Sequence, residues 1–230
     1  DAENRTEGRK MNKVFLFTRT KATVASSGID SPGIVSTIMT AIGRTVRVRT
    51  SVTIGAGAIV ADRVITSLLL VANESEVAVR FKNGADIPAF VTRRDSRRNL
   101  AELLPSSRAL SSAKRLALLT SSPDPKVGKM GEIGHPLLVV CTDADALQVH
   151  VGSTLYGIEV MKRLEESWNI RPNAPMGLIG GGVWSTDGTF MGLALGEKDP
   201  FFETGSRESS FPKVYALPGR EVMEFAESSV

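Results

Sequence analysis

The sequence is poor in the residues from which disulfides and metal sites are built. Its 230 residues include one cysteine and two histidines. The single cysteine, Cys141, excludes an intrachain disulfide, and its place in an apolar run predicts a buried thiol that packs like a small hydrophobe. His135 and His150, with Asp143 and Asp145 near them in the sequence, match no zinc-site spacing. The sequence predicts no cofactor, and a metal site or cryptic enzyme built on these histidines stays as a minor alternative.

Long apolar runs and a strong charge of one sign are also lacking. No run reaches the roughly 20 apolar residues that a transmembrane helix needs. The net charge is only +3, and aromatic residues make up 6% of the chain, so we expect the basic clusters to be solvated surface and expect no nucleic-acid partner. Because the chain starts at Asp1, we expect that an upstream targeting segment is missing, and the sequence by itself assigns no compartment.

Short strands dominate the local pattern. From residue 34 onward the pattern predicts β structure, and Asn83-Gly84 is a strong hairpin signal. The predicted strands cover residues 45–53, 55–60, 64–66, 76–81, 86–92, 136–141, 146–153, 155–161, 182–185, 190–195 and 213–217. A late helix is predicted over residues 220–227. Many short strands with few helices indicate an all-β barrel or sandwich.

Three consecutive glycines, Gly180 to Gly182, stand out in the second half of the chain. They follow Ile179 and precede a strand pattern with a turn at Asp187-Gly188. A glycine run lets one backbone segment approach another closely. It opens a strand rather than a helix, so it lacks the helix dipole that assists phosphate binding.

Residues 177–183 resemble the nucleophile loop Gly-Asn-Ser-Gly-Gly-Pro-Leu of trypsin-like serine proteases of the HtrA/Deg type. Ile179 stands at the serine position. Residues 64–71 are similar to the family's Ile-Leu-Thr-Asn-Ala-His-Val-Val, with Leu69 at the histidine position. Residues 95–103 are similar to Asp-x-x-Thr-Asp-Leu-Ala-Leu-Leu, with Asn99 at the aspartate position. The resemblance therefore places all three positions of a catalytic triad and finds none of the three side chains.

The resemblance covers most of residues 34–227, because residues 55–60, 77–94, 127–153 and 211–218 also match family segments in the right order. It implies a trypsin-like double antiparallel β-barrel with a C-terminal helix. We expect an N-terminal extension over residues 1–30, a first barrel over 31–120 and a second barrel with the closing helix over 121–230. The resemblance also favours the cell envelope, the periplasm or an organelle.

The substitutions at the triad positions predict loss of proteolysis. The serine hydroxyl attacks, the histidine moves the proton and the aspartate orients the histidine. Leu69 and Ile179 carry no group for either of the first two roles, and Asn99 carries no charge. The resemblance implies that Gly177, Leu178 and Gly180 are the remnant of the oxyanion loop. We therefore expect a pseudoprotease that is not an enzyme.

Two kinds of protein partner follow from this interpretation. The first is a larger homo- or hetero-oligomeric assembly in which the chain is a structural or scaffolding domain. The alternative is a peptide that the degenerate cleft binds by strand addition beside Val214, Tyr215 and Ala216, the strand that resembles the family's substrate-pairing segment.

Overall fold

The computed structural model describes residues 14–17, 20–23, 32–82, 84–108, 111–120, 124–129, 133–143, 146–161, 164–171, 179–196 and 214–228. The strands are β1 (Val14–Phe17), β2 (Thr20–Thr23), β3 (Thr45–Arg49), β4 (Ile54–Val60), β5 (Arg63–Ser67), β6 (Glu76–Arg80), β7 (Ile87–Asp95), β8 (Leu100–Pro105), β9 (Pro136–Asp143), β10 (Ala146–Met161), β11 (Leu164–Arg171), β12 (Gly182–Ser185), β13 (Phe190–Gly196) and β14 (Val214–Pro218). The helices are α1 (Pro32–Gly43), α2 (Leu68–Val71), α3 (Ser112–Leu119) and α4 (Gly219–Glu227). No helix in these ranges is both long and apolar enough to cross a membrane.

Twelve of the strands close into two six-stranded antiparallel barrels. The order around the first barrel is β3-β4-β5-β8-β7-β6, and around the second it is β10-β11-β14-β13-β12-β9. In β3, Val46 and Val48 are fully buried in the first barrel and Arg49 is exposed, as the alternating pattern predicted. Arg47, which the same pattern placed on the solvent face, is only 5% exposed. The structure therefore confirms the all-β class, the pair of antiparallel barrels and the C-terminal helix.

The β4–β5 hairpin shows how the sequence sets a tight turn. Its two central residues, Ala61 and Asp62, have φ angles of 46° and 57°. Positive φ at both positions is what a two-residue hairpin turn needs to match the twist of its strands. The turn brings Ile59 opposite Val64, so both of these side chains enter the first-barrel core.

A third apolar layer lies between the barrels and under two helices. It draws Ala58 and Leu100 from the first barrel, Leu138 and Trp184 from the second, and Phe225 from α4. Trp184 is fully buried, and its ring meets that of Phe190 edge to face at a centroid distance of 5.1 Å. Because both barrels contribute to one core, the loops at their junction are held on two sides.

Helix α1 corrects the prediction of β structure from residue 34 onward. Pro32 opens the helix, where its missing N–H costs no hydrogen bond. Ile34, Ile38, Ala41 and Ile42 pack into the layer between the barrels, and their spacing of four, three and one is helical. The β-branched residues that favoured a strand lie on this buried stripe, so tertiary packing outweighs their local preference.

Helix α4 follows the second barrel in sequence but is fastened to the first. The Arg93 guanidinium lies 4.0 Å from the centre of the Phe225 ring and donates to the main-chain oxygens of Phe225 and Ser228. These carbonyls lie at the helix C-terminus, where a cation is favourable. Arg98 donates to Glu221 at 2.6 Å, and this hydrogen bond raises the pKa of Arg98 above its usual value despite partial burial.

Candidate functional site

Leu69, at the predicted histidine position, lies on the short helix α2 that follows β5. Its neighbours Leu70 and Val71 turn into the first-barrel core, while Leu69 is 48% exposed. The side chain therefore faces solvent at the place where the resemblance puts a proton carrier. An isobutyl group there supplies packing surface and no proton chemistry.

Asn99, at the predicted aspartate position, holds α2 in place. It is only 4% exposed and has a φ of 56°, a conformation that asparagine tolerates better than most residues. Its Oδ1 accepts from the Leu69 N–H at 3.1 Å, and its main-chain oxygen accepts from the Leu68 N–H at 2.8 Å. The amide group therefore caps a helix whose first N–H groups have no partner within the helix.

The other end of the Asn99 amide is also hydrogen-bonded. Its Nδ2 donates to Ser67 Oγ at 3.1 Å, and Ser67 Oγ donates to the main-chain oxygen of Leu195 at 3.2 Å. This chain of contacts joins the turn before β8, the end of β5 and the end of β13. Sequence reasoning missed Ser67, because its partners lie 32 and 128 residues away.

Ile179, at the predicted serine position, is half-buried and packs with Leu68 against the first-barrel core. Its main-chain oxygen accepts from the Ala56 N–H at 2.9 Å. A Cβ placed on Gly55 would lie 2.6 Å from Leu70 and 2.9 Å from that same oxygen. The structure thus brings the Leu69 N–H and the Asn99 side chain into direct contact. Leu70 and the main chain of Ile179 both lie against Gly55.

The glycines after Ile179 allow the two barrels to meet. Gly180 has a φ of 78°, and a Cβ there would lie 2.0 Å from the Ala56 carbonyl oxygen in the first barrel. A Cβ on Gly181 would lie 2.0 Å from the Val140 carbonyl oxygen in the second barrel. No side chain fits at either position, so the glycine run serves close backbone packing. Gly177 and Leu178, the other two residues of the predicted oxyanion loop, lie outside the described residues.

The carboxylate that precedes Asn99 by four residues, Asp95, closes the turn that carries Asn99. Asp95 accepts from the backbone N–H groups of Arg97 and Arg98 at 2.9 Å and 3.0 Å, and it pairs with the Arg98 guanidinium at 3.1 Å. Asp95 is thereby committed to closing the turn, and Arg98 is directed towards α4. Neither group takes the position that Asn99 occupies.

The strand β14 corrects the predicted peptide-binding edge. Val214 and Ala216 pair with Ile170 and Trp168 of β11 on one side, and Ala216 and Tyr215 pair with β13 on the other. Tyr215 and Ala216 therefore have a strand on each side within the closed barrel, and Val214 is paired on the β11 side. A peptide cannot add a strand beside them without displacing β11 or β13, so the physical requirement of a free edge is not met.

The two histidines, the basis of the alternative metal site or cryptic enzyme, lie on or next to strands of the second barrel. His135 is half-buried just before β9, and His150 lies on β10 opposite Val139. Asp145 lies outside the described residues. Within the ranges given above, no three His, Cys, Asp or Glu residues are grouped closely enough to hold a metal ion. Cys141 is buried, as predicted.

The two barrels, the glycine loop at their junction and the closing helix define the trypsin-like serine protease fold. Two solved structures of Rv3671c from Mycobacterium tuberculosis are similar to the chain. An inactive form with a serine-to-alanine substitution aligns with a TM-score of 0.62 and 17% identity, over 91% of this chain and 99% of that one. An inactive form described as the Rv3671c protease aligns with a TM-score of 0.60 and 16% identity, over 86% and 95%.

No protein-family model and no curated protein sequence matches the chain. At 16% and 17% identity, the likeness to Rv3671c establishes the fold alone. What the site does has to be argued from the residues that occupy it.

Proposed function

We propose that the chain is a pseudoprotease: a trypsin-like domain that does not cleave peptides and acts as a structural or scaffolding domain in a larger protein assembly. The HtrA/Deg-type motifs of the sequence support the placement of the three triad positions. The observation that carries the proposal is that Leu69, Asn99 and Ile179 occupy those positions. The Asn99 Oδ1 accepts from the Leu69 N–H, and its Nδ2 donates to Ser67 Oγ.

Loss of the triad side chains removes the main route to hydrolysis. A trypsin-like protease without its triad retains roughly 10³–10⁴ of its acceleration over water, from the oxyanion hole and binding alone. Peptide bonds are too stable for that remaining activity to matter. Even the remaining activity requires intact oxyanion donors, and the loop carries Leu178 and Gly182 where the HtrA/Deg motif has Asn and Pro.

The enzymatic half of the proposal is tested with an active-site label. The purified chain is incubated with a fluorophosphonate probe, which reacts with activated serines, and with an unfolded protein substrate. We expect no stoichiometric label and no cleavage above buffer. A label that mass spectrometry maps to a serine of this chain, together with turnover, would refute the proposal.

The binding half of the proposal rests on the surface left at the former cleft. Leu69 is 48% exposed and Val52 is 88% exposed. The turn that carries Val52 is rigid, because the N–H groups of Val52 and Thr53 donate to Thr50 Oγ1. Ser51 ties the turn to Glu74, which follows α2, by a hydrogen bond of 2.9 Å from its N–H. Ordered apolar side chains on linked loops lose little entropy on binding a partner.

This half is tested with two exposed leucines in matched variants. Tagged Leu69→Glu and Leu116→Glu are expressed in the native source, and the size of the native complex is measured by gel filtration. Leu116 is 57% exposed on a different helix, α3. We expect the Leu69→Glu complex to shrink towards the 24.6 kDa chain, while Leu116→Glu leaves it unchanged. A wild-type chain that runs as a lone monomer in the native extract would refute the scaffolding role.

A further inference from the structure

Polar contacts of helix α4 reach two parts of the first barrel, and one of these parts leads to the triad positions. At the helix C-terminus, Arg93 of β7 binds main-chain oxygens. In the first turn of the helix, Glu221 accepts a hydrogen bond from Arg98 Nε at 2.6 Å. Arg98 immediately precedes Asn99 in the chain. The Glu221 contact therefore joins α4 to the turn that carries Asn99.

The Arg98 guanidinium is held by carboxylates on both sides. Its Nη1 lies 3.1 Å from Asp95 Oδ2, and its Nη2 lies 3.4 Å from Glu224 Oε2. The hydrogen bond to Glu221 is the first cause of the raised pKa of Arg98. The Arg98 and Glu221 side chains are 27% and 20% exposed, whereas that of Glu224 is 50% exposed. Because a less exposed ion pair is screened less by water and salt, Glu221 is the stronger of the two helix contacts.

The turn between β7 and β8 connects this contact to Asn99. Asp95 Oδ1 accepts from the N–H groups of Arg97 and Arg98 at 2.9 Å and 3.0 Å, while its other carboxylate oxygen pairs with the Arg98 guanidinium. One carboxylate thus fixes both the backbone and the side chain of Arg98. The next residue, Asn99, has the left-handed φ of 56°. The direction of the Asn99 side chain is therefore set by a turn that the Arg98 guanidinium braces.

Helix α2 depends on the direction of the Asn99 side chain. The helix spans four residues, and a helix this short is not stable by itself in water. Its N-cap residue, Ser67, makes no side-chain capping hydrogen bond. The N–H groups of Leu68 and Leu69 bond instead to the main-chain and side-chain oxygens of Asn99. The backbone that presents the exposed Leu69 is therefore held from the β7–β8 turn.

We propose that α4 and α2 are coupled through Arg98 and Asn99, with Glu221 as the positioning residue that holds α2, and with it the exposed Leu69, in place. A partner that draws Glu221 away from Arg98 loosens α2, and by thermodynamic reciprocity a partner bound at Leu69 favours the docked α4. The part played by Leu69 in binding rests on the scaffolding proposal. The coupling itself is a property of the folded chain and needs no partner for its test.

Hydrogen exchange of single backbone amides, followed by NMR on the purified chain, tests the coupling. Glu221→Gln keeps the length of the side chain and removes the ionic partner of Arg98. We expect the Leu69 amide to exchange at least about fivefold faster, the lower end of a typical coupling between sites. The reference is the Ile59 amide of β4, which donates to the Arg44 oxygen at 2.8 Å. A global loss of stability speeds both amides, so the ratio of the two rates isolates local opening at α2.

Two further variants show whether the effect passes through Arg98 and Asn99. Glu224→Gln removes the same charge from the same helix at the longer, more exposed contact, and should change the ratio less than about twofold. Asn99→Gly keeps the positive φ and removes the amide. In that background Glu221→Gln should no longer change the ratio, because the bond to Leu69 is already cut.

Three results would overturn the coupling. They are an unchanged ratio in Glu221→Gln, an equal change in Glu224→Gln, and a change that persists in the Asn99→Gly background. Both glutamate side chains reach solvent on α4, so the comparison between them stands even if Asn99→Gly unfolds the chain.

The coupling and the scaffolding proposal fail separately. If Glu221→Gln changes the amide ratio while Leu69→Glu leaves the native complex intact, the coupling stands and the binding role of Leu69 is refuted. If the complex depends on Leu69 but the amide ratio does not respond to Glu221→Gln, the binding role stands and the coupling is refuted.

Discussion

Replacing Asn99 by aspartate tests whether this position accepts the residue that HtrA/Deg-type proteases carry at the position it resembles. Asn99 is 4% exposed, and its Nδ2 donates to Ser67 Oγ while its Oδ1 accepts from the Leu69 N–H. Asn99→Asp keeps the size and the tolerance of a positive φ, so the backbone need not change. It replaces a satisfied amide by a carboxylate that has no histidine beside it.

The cost is the sum of a lost donor and an uncompensated charge. Losing the hydrogen bond to Ser67 costs roughly 0.5–1.5 kcal/mol, and leaving a buried carboxylate short of donors costs roughly 1–3 kcal/mol more. The Ser67 hydroxyl has one proton, which now serves Leu195. It cannot satisfy both acceptors. We expect a loss of about 3 kcal/mol in the free energy of unfolding at pH 7, which for a chain of this size lowers Tm by roughly 6–12 °C.

The loss should depend on pH in a defined direction. Burial without a cation raises the pKa of the new carboxyl above the value of about 3.9 that an unfolded aspartate has. Between those two pKa values the folded state holds more protons than the unfolded state, so stability falls as pH rises. The destabilisation is therefore small near the unfolded pKa and complete once pH exceeds the folded pKa, where the protein carries the full charge.

Chemical denaturation of Asn99→Asp and of Asn73→Asp between pH 4 and pH 8 measures the effect. Asn73 is exposed in the turn after α2, so the same chemical change there should cost less than about 0.5 kcal/mol. Agreement between the two variants within that margin at pH 7 would refute the reasoning. It would mean that the Asn99 amide is neither as enclosed nor as fully hydrogen-bonded as its contacts indicate.

Three further changes probe the same region. In the Asn99→Asp background, Leu69→His should recover at least about 1 kcal/mol of the free energy of unfolding near pH 6, because the carboxylate favours an imidazolium beside it. Denaturation of the single and double variants measures the coupling energy, and a coupling of zero would refute the placement of Leu69. Ala72→Gly should stabilise the chain by about 1 kcal/mol, since Ala72 has the strained angles φ 43° and ψ −116°. The control, Ala117→Gly on the exposed face of α3, should destabilise the chain by roughly 0.5–1 kcal/mol. A loss of stability in both variants would contradict strain at Ala72. Gly181→Ala should cost at least about 3 kcal/mol, because its Cβ would lie 2.0 Å from a carbonyl oxygen of β9; a thermal melt close to that of the wild type would show that the barrels can separate there.

The strands could be predicted because their signals are local. The Asn-Gly signal at residues 83 and 84 predicts a hairpin without knowledge of distant contacts, and β6 and β7 pair antiparallel on either side of it, although Asn83 lies outside the described residues. Closure into barrels came from the resemblance, since alternation alone fits a sandwich equally well. The segment of helix α1 was wrongly predicted as β structure. Its isoleucines favour a helix only because they pack into the layer between the two barrels, which the local sequence does not reveal.

The connections within the candidate site could not be predicted from the sequence. Motif order predicts the triad positions Leu69, Asn99 and Ile179, and this stays a prediction, whereas the strand addition at β14 did not follow. The strand that pairs with β14 on this side is β11, Leu164–Arg171. Its two consecutive glutamates, Glu165 and Glu166, interrupt the alternation of apolar and polar residues by which a strand is predicted. Ser67 was missed for a similar reason, because nothing local distinguishes a serine that joins segments 128 residues apart.

The backbone around Leu69, Asn99 and Ile179 is held by contacts that need no catalytic side chain. The contacts that set the three positions are main-chain hydrogen bonds, from Ala56 N–H to the Ile179 oxygen and from Leu68 N–H to the Asn99 oxygen, with Gly180 N–H bonded to the Ala194 oxygen at 2.7 Å. Side chains at Leu69 and Ile179 take no part in them. The fold therefore depends on the glycines and Asn99 more than on the other two side chains, and under the scaffolding proposal the exposed Leu69 is expected to contact a partner.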